Sequence, residues 1–183
     1  MPDPQGPFEK LLHYQTRAAE YEPGRGSGEM KRGEWVGVIF RMADARVTCG
    51  IDHVHQFLPL PPITPVPGTK PWLMGLANVR GELMTVIDLP GFLSGKSSTA
   101  TGRSRLLAAT LRDRPLGLMV DEVFGQRHFV ADDVGESTLA ESSPLRPYVR
   151  QQRRSGKETW QELDLDILLR DPDFLNGAAN REH

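Results

Sequence analysis

The stretch GFLSGKSS, residues 91–98, carries the residue types of a phosphate-binding loop. Such a loop has the spacing G-x-x-x-x-G-K-[ST], in which backbone N–H groups hold the phosphates and the lysine reaches them. Here Pro90 stands five residues before Gly95, where the spacing requires glycine, and proline has no N–H to donate. We therefore predict a capped helical turn followed by a loop. The alternative is a nucleotide-binding enzyme acting through Lys96, which a measurement of ATP binding would test.

The pair His53 and His55 raises the question of a metal site, because the two side chains would share one face of an extended segment. Cys49 and Asp52 are near in sequence, but no spacing typical of a metal centre connects them to a further ligand. We predict histidines at a bend and a small, buried cysteine in a strand. The sequence also has no G-x-S-x-G motif, so we expect no catalytic residue, no metal and no cofactor.

A third candidate site is a cluster of four basic residues, Arg150, Arg153, Arg154 and Lys157, which could contact nucleic acid. Tyr148 and Trp160 are the only aromatic residues beside it, and the formal net charge of the chain is −2, which argues against broad attraction to nucleic acid. We favour a solvated hairpin in which Glu158 and Glu162 are ion-pair partners. A small β-barrel nucleic-acid-binding protein is the alternative function, and a contact surface for an acidic protein is a further interpretation.

The composition is that of a globular chain. Of 183 residues, 38% are hydrophobic and 25% are charged, which allows one domain with a real core or two small subdomains. Cys49 is the single cysteine, so no disulfide can form within the chain. MPDPQGPFEK is not typical of a signal peptide, and no run approaches the roughly 20 apolar residues of a membrane helix. We expect a cytoplasmic protein without direct membrane insertion.

Short strand-like segments separated by turns dominate the chain from Trp35 onward, and glycine (18) and proline (15) are frequent. They group into four hairpins: WVGVIFRM with RVTCGI, WLMGLANV with ELMTVIDL, SRLLAATLR with PLGLMVD around Asp113, and YVRQQRR with ETWQELD. This pattern predicts an all-β fold of barrels or a sandwich. We divide the chain into an N-terminal extension (1–34, with a possible short helix and a Gly-rich linker), a main domain (35–171) and a C-terminal tail (172–183).

The order of these hairpins indicates an internal duplication. In each copy the first hairpin is followed by D-x-V, at Asp52 and Asp121, and the second by D-L-x-x-[FL]-L, at Asp88 and Asp164. An aspartate placed after a strand can accept hydrogen bonds from the free N–H groups of a helical turn. We therefore expect two similar β-barrels side by side, with a groove between them.

The hairpin NVRGELMTVIDL, residues 78–89, is the densest signal in the sequence. A two-residue turn of type I′ or II′ needs a positive φ, and Gly81 supplies it, so Arg80 would project at a corner beside Asn78. Residues 83–88 are apolar on nearly both faces, which predicts packing on two sides, or on one side and a partner. Arg80 is either an ordinary turn residue or an arginine held against Val54–Gln56 to shape a protein-binding groove.

Together these motifs resemble those of CheW-like domains, the coupling adaptors of bacterial chemosensory arrays. GLANVRGELMTVIDL looks like the family signature G-x-x-N-x-R-G-x-x-x-P-V-x-D-L, PLGLMVDEV is similar to V-G-L-x-V-D-x-V, and DLDILL closes the match. The resemblance extends from about Trp35 to Leu169. It implies two intertwined five-stranded SH3-like β-barrels, no enzyme activity, and a scaffold recruited to membrane-associated chemosensory arrays.

The resemblance also implies two partners, the cytoplasmic tip of a methyl-accepting chemotaxis receptor and the regulatory domain of a CheA-like histidine kinase. The receptor-binding region corresponds to Val54, Gln56, Gly75, Asn78, Arg80 and Gly81. The kinase-binding region corresponds to Leu118, Val120, Asp121 and Val123.

Two departures from the family pattern affect these expectations. Thr85 replaces the usual proline, and Gln56 replaces a common glutamate, so Gln56 can hydrogen-bond Arg80 but cannot neutralise it. The long N-terminal extension and the residues of the signature, GLANVRGEL, look more like the PilI subgroup than like flagellar CheW. The PilI subgroup contains the adaptors of type IV pilus twitching motility.

Overall fold

The computed structural model describes residues 34–111 and 114–177. These residues form eleven strands: β1 (Trp35–Met42), β2 (Ala45–Gly50), β3 (Gln56–Pro59), β4 (Leu73–Val79), β5 (Glu82–Asp88), β6 (Arg105–Leu111), β7 (Arg114–Val120), β8 (Glu122–Phe129), β9 (Val134–Gly135), β10 (Val149–Ser155) and β11 (Glu158–Leu163). Three short helices accompany them: α1 (Leu89–Ser94), α2 (Leu165–Arg170) and α3 (Pro172–Leu175). The predicted all-β class is confirmed. The predicted N-terminal helix and linker and the turn at Asp113 lie outside the described residues.

The strands form two sheets that exchange hairpins between the two sequence copies. Sheet I has the order β8-β1-β2-β11-β10-β9, and sheet II has the order β3-β6-β7-β5-β4. Strand β5 of the first copy pairs in parallel with β7 of the second, and β11 of the second pairs in parallel with β2 of the first. The halves are therefore intertwined, as predicted, although the sheets have six and five strands instead of five each. Closure of either sheet into a barrel stays a prediction.

The strand registers repeat between the copies, which supports the duplication. In the first hairpin Val38 pairs with Cys49, and in the third Leu107 pairs with Leu118. The second and fourth hairpins share a register irregularity at the same place, between Leu73 and Gly75 in one and between Val149 and Gln151 in the other. The two-residue strand β9 corresponds to an isolated bridge between Thr64 and Leu76.

Apolar side chains pack on both faces of each sheet. This explains why residues 83–88, in β5, are apolar on both faces of the strand. A central core draws side chains from both sheets and all three helices, among them Phe40, Val47, Ile87, Leu118, Leu168 and Phe174. The other face of sheet II holds a smaller apolar core that includes Ala77, Met84, Val86 and Leu106. The other face of sheet I holds Ile39, Phe129 and Trp160, with Trp35 against them.

Aspartate caps turn the chain from each second hairpin into its helix, as the sequence predicts. The Asp88 side chain accepts a hydrogen bond from the Gly91 N–H (2.8 Å), and the Asp164 side chain accepts one from the Ile167 N–H (3.1 Å). The leucine after each cap, Leu89 or Leu165, is fully buried in the central core. The caps therefore fix where both helices begin on the core.

Candidate partner-binding surfaces

The turn between β4 and β5 holds Arg80 outward in a fixed conformation. Arg80 has φ 54° and Gly81 has φ 89°, and two positive φ values in a two-residue loop define a type I′ turn. The Asn78 side-chain oxygen accepts a hydrogen bond from the Gly81 N–H at 2.8 Å, which anchors the turn on the strand before it. Arg80 is exposed, so its guanidinium is available to a partner.

Leu83 adds an apolar contact beside this turn that the sequence interpretation did not assign to the site. Its side chain is 60% exposed, the most of any large hydrophobic residue in the described chain. Leu83 pairs with Asn78 across the hairpin, so an apolar and a charged group lie together at the tip of sheet II. Leu83 lies on the same face of β5 as the buried Ile87, so the alternation of apolar residues did not reveal that Leu83, next to the turn, is exposed.

The predicted contact between Arg80 and the Val54–Gln56 bend is not found. Within residues 34–111 and 114–177, Arg80 makes no hydrogen bond or ion pair with Gln56, which is half-buried in β3. Val54 is only 4% exposed and belongs to the central core. Val54 therefore supports the bend instead of offering a contact, and the roles of exposed Arg80 and half-buried Gln56 stay predictions.

Gly75 has a packing role that needs no partner. Its φ is 137°, and a Cβ atom at this position would lie 2.1 Å from the Thr64 carbonyl oxygen. That carbonyl accepts a hydrogen bond from the Leu76 N–H at 2.9 Å, and the Thr64 N–H donates to the Leu76 carbonyl at 2.8 Å. Gly75 is therefore required for the proline-rich link to cross close to β4, and it is buried.

Two of the four residues predicted to bind the kinase are completely buried. Leu118 and Val120 have no exposed surface and lie in the central core, so they cannot contact a partner directly and instead fix the path of β7. Asp121 and Val123 are half-buried at the end of sheet I. Their predicted role in binding stays open.

Asp121 also holds the turn between β1 and β2 at this end of sheet I. Its carboxylate accepts a hydrogen bond from the Ala43 N–H at 2.6 Å, and Ala43 has an unusual φ of 48°. Arg41 lies 3.5 Å from Asp121 and 3.6 Å from Glu122. A contact residue here would therefore also be a residue that sets the shape of the surface.

The phosphate-loop candidate is occupied by a carboxylate from the same chain. Besides Gly91, the Asp88 side chain accepts hydrogen bonds from the N–H and the hydroxyl of Ser98, at 2.5 and 2.6 Å. Asp88 is 1% exposed. Its negative charge therefore sits where a phosphate would need the same donors, and the predicted capped turn is confirmed.

The predicted basic cluster does not form one surface. Arg153 is buried, its guanidinium lies 3.9 Å from the centre of the Trp35 ring, and its Nε contacts the Glu162 carboxylate. Arg150 pairs with Asp164, while Arg154 is exposed. Because the arginines point to different environments, the geometry does not support the nucleic-acid alternative.

Glu158 forms a network at the tip of sheet I with partners other than those predicted. It accepts hydrogen bonds from Arg127, at 2.9 Å, and from Arg46, and both guanidiniums lie over the Trp160 ring, at 5.6 Å for Arg46 and 5.8 Å for Arg127. Hydrogen bonds from Arg127 and then Arg46 lower the pKa of the Glu158 carboxyl. Phe124, 49% exposed, packs edge-on against Trp160 and gives this end its own exposed apolar group.

The residues considered for metal binding or nucleophilic chemistry have ordinary structural places. Cys49 is fully buried in β2, and burial raises the pKa of its thiol to about 12. His55 Nε2 lies 2.8 Å from the Thr110 hydroxyl. In the described part of the chain, no three His, Cys, Asp or Glu side chains are grouped as metal ligands. None of the helices described is both long and apolar enough to cross a membrane.

The fold defines an all-β protein of two duplicated, interlocked halves. Residues 36–173 match the family model of the CheW-like domain, and the chain therefore belongs to the CheW-like family. Protein PilI of Pseudomonas aeruginosa is 34% identical over 149 residues, which cover 81% of this chain and 84% of that protein.

Further relatives are similar to shorter parts of the chain. Protein FrzA of Myxococcus xanthus is 30% identical over 112 residues, covering 61% of this chain and 70% of FrzA. The structure of the scaffolding protein TtCheW from Thermoanaerobacter tengcongensis has a TM-score of 0.65 at 20% identity, covering 76% of this chain and 94% of that one, and it shows the fold. The resemblance to CheW-like domains predicted from the sequence is thereby confirmed.

Proposed function

We propose that this protein is a non-catalytic adaptor that couples a methyl-accepting chemoreceptor to a CheA-like histidine kinase. The observation that carries the proposal is the match of residues 36–173 to the CheW-like domain. The exposed tips of the two sheets support it, because each combines arginines with an exposed apolar side chain, Leu83 in one and Phe124 in the other. The similarity to PilI favours a pathway that controls type IV pilus twitching motility.

In this proposal the tip of sheet II binds the receptor and the tip of sheet I binds the regulatory domain of the kinase. Coupling then consists of holding two proteins in a fixed relative placement, because the two sheets share one packed core. The adaptor would act in the cytoplasm and reach membrane-associated arrays through its partners. Several weak contacts in such an array reinforce one another by raising effective concentration.

The receptor contact is tested by Arg80→Ala, with Arg103→Ala as the matched control on another exposed arginine. We expect Arg80→Ala to weaken binding of a purified receptor cytoplasmic fragment by about tenfold, since losing a charged interface contact costs roughly 1–3 kcal/mol. Biolayer interferometry measures the affinity, and thermal unfolding checks the fold. Equal affinity for both variants would remove Arg80 from the site, and unfolding of Arg80→Ala would make its role structural.

A further inference from the structure

The link from β3 to β4 begins with a stretch in which proline constrains almost every residue. Residues 58–67 read LPLPPITPVP. Proline fixes φ at about −65°, and a residue that precedes proline is held in extended or polyproline II backbone. Ile63 is the only residue of this stretch that is neither a proline nor followed by one. The sequence therefore strongly favours the polyproline II conformation here.

The structure holds this stretch extended and fixes it at two points. Residues 60–66, all of which the structure describes, contain no helix and no turn. Pairing of Pro59 with Arg105 holds one end of the stretch, and the two hydrogen bonds between Thr64 and Leu76 hold it further along. A segment that is fixed in this way loses little conformational entropy when a partner binds it.

Exposure along the stretch repeats at every third residue. Pro59, Pro62 and Pro65 are exposed, whereas Leu60 and Ile63 are half-buried and pack against the smaller apolar core of sheet II. A polyproline II helix has three residues per turn, so one of its edges faces this core and another faces outward. We call the three exposed prolines the proline ridge, which is about 19 Å long at a rise of about 3.1 Å per residue.

Phe57 extends the apolar surface at the Pro59 end of the ridge. Its side chain is 41% exposed. Phe57 and Pro59 are two residues apart in β3, so their side chains lie on the same face of the strand. Because β3 is an edge strand of sheet II, this surface lies at the border of the sheet.

The charged residues of the stretch and of its pairing partner are basic. Residues 56–71 contain one charged side chain, Lys70. Arg105 pairs with Pro59, which places its side chain on the same face as that proline. A partner surface that carries carboxylates is therefore favoured over a basic one.

A purely structural role explains only part of this pattern. Prolines at a sheet edge prevent unwanted pairing with another strand, and this accounts for proline at any edge position. It does not require exposed prolines at a spacing of three, with an exposed aromatic residue beside them. That spacing is the one that aromatic grooves recognise in polyproline II segments.

We propose that the proline ridge binds a partner domain of the kind that recognises polyproline II segments in a groove lined by aromatic side chains. The ridge prolines would lie against the aromatic rings, Phe57 would extend the contact, and carboxylates at the end of the groove would face Arg105. Leu60 and Ile63 would stay on the core of sheet II. This partner is additional to the receptor and the kinase, because the link and β3 supply the contact.

Anisotropy titration of labelled SH3 and WW domains with the full-length protein tests the proposal. We expect saturable binding that the double variant Pro62→Gln/Pro65→Gln weakens by about tenfold, because the central contacts of an interface carry most of its binding energy. The matched double variant Pro144→Gln/Pro147→Gln also removes two exposed prolines three residues apart, but these lie in a turn and a short helix. It should bind as the wild type does, and the free peptide LPLPPITPVP should compete.

Four results would overturn the proposal. They are the absence of saturable binding to either domain, equal loss in both double variants, and binding that the free peptide does not displace. The fourth is a dimer, seen by light scattering, that only Pro62→Gln/Pro65→Gln abolishes, because a second copy of the chain would then be the occupant. Thermal unfolding checks each variant. If Pro62→Gln/Pro65→Gln does not fold, the same changes in the peptide decide, since equal competition by the changed peptide would contradict the ridge.

Discussion

At the scale of single residues, the exposed surface depends on backbone conformations that are rare for residues other than glycine. Arg80 adopts a positive φ, which costs a non-glycine residue about 1–2 kcal/mol. The turn between two register-matched strands, the bond from Gly81 to Asn78 and the permissive Gly81 offset that cost. The sequence predicted a two-residue turn of type I′ or II′, and the positive φ of both Arg80 and Gly81 shows that it is type I′.

Gly75 gives the sharpest residue-scale prediction, because it separates a structural role from a binding role. Gly75→Ala would force a Cβ into the Thr64 carbonyl, and we expect a loss of about 2–4 kcal/mol in the free energy of unfolding. Urea denaturation measures the loss. Gly102→Ala is the matched control, since a Cβ there meets nothing within 4 Å. Similar stabilities of the two variants would contradict the packing role.

Glu158 gives a pH-dependent prediction. Its carboxyl pKa is lowered from the ordinary value of 4.5 in the folded protein, so its contribution to stability is complete above that pH and is lost as the pH falls below it. The stability difference between the wild type and Glu158→Gln should therefore shrink on acidification. Urea denaturation over a series of pH values measures this difference, and one that grows toward acid pH would contradict the assignment.

At the scale of elements, the small core of sheet I differs from that of sheet II through one ion pair. Arg153 pairs with Trp160 across its hairpin just as Ala77 pairs with Met84, so a charged residue takes the place of a small apolar one. Glu162 neutralises it, and the Trp35 ring covers it. The polarity of the fourth hairpin is thus in part internal to the sheet.

This arrangement predicts unequal effects of single and double substitutions. Arg153→Met should destabilise the fold by about 1–3 kcal/mol, because it leaves the half-buried Glu162 carboxylate with only the hydrogen bond from Gln151. The double variant Arg153→Met/Glu162→Met should recover most of that loss. Urea denaturation compares them, with Arg154→Met as the exposed control. A double variant less stable than the single one would contradict the ion-pair account.

Element prediction succeeded where the signal was local. The four hairpins and the caps at Asp88 and Asp164 follow from short-range alternation and side-chain hydrogen bonding, and both were predicted. Strands β3 and β9 were not, because β3 lies in a proline-rich stretch and β9 has only two residues. Burial of Leu118 and Val120 was also missed, since an apolar strand residue looks the same in sequence whether it faces a partner or the core.

At the scale of the whole molecule, the exchange of hairpins joins the two sheets around one shared core. The parallel pairings of β5 with β7 and of β11 with β2 connect distant parts of the chain, so no local pattern specifies them. The family resemblance predicted the intertwining, whereas the duplication motifs predicted two similar barrels side by side. A shared core under both sheets would hold two bound proteins in a fixed relation, which is what an adaptor requires.

The most direct test of this account is whether one molecule binds both partners at once. Size-exclusion chromatography with light scattering would be run on the full-length protein mixed with a receptor cytoplasmic fragment and the regulatory domain of the kinase. We predict a complex whose mass includes all three proteins. Complexes in which receptor and kinase displace each other, or failure to bind either, would contradict it.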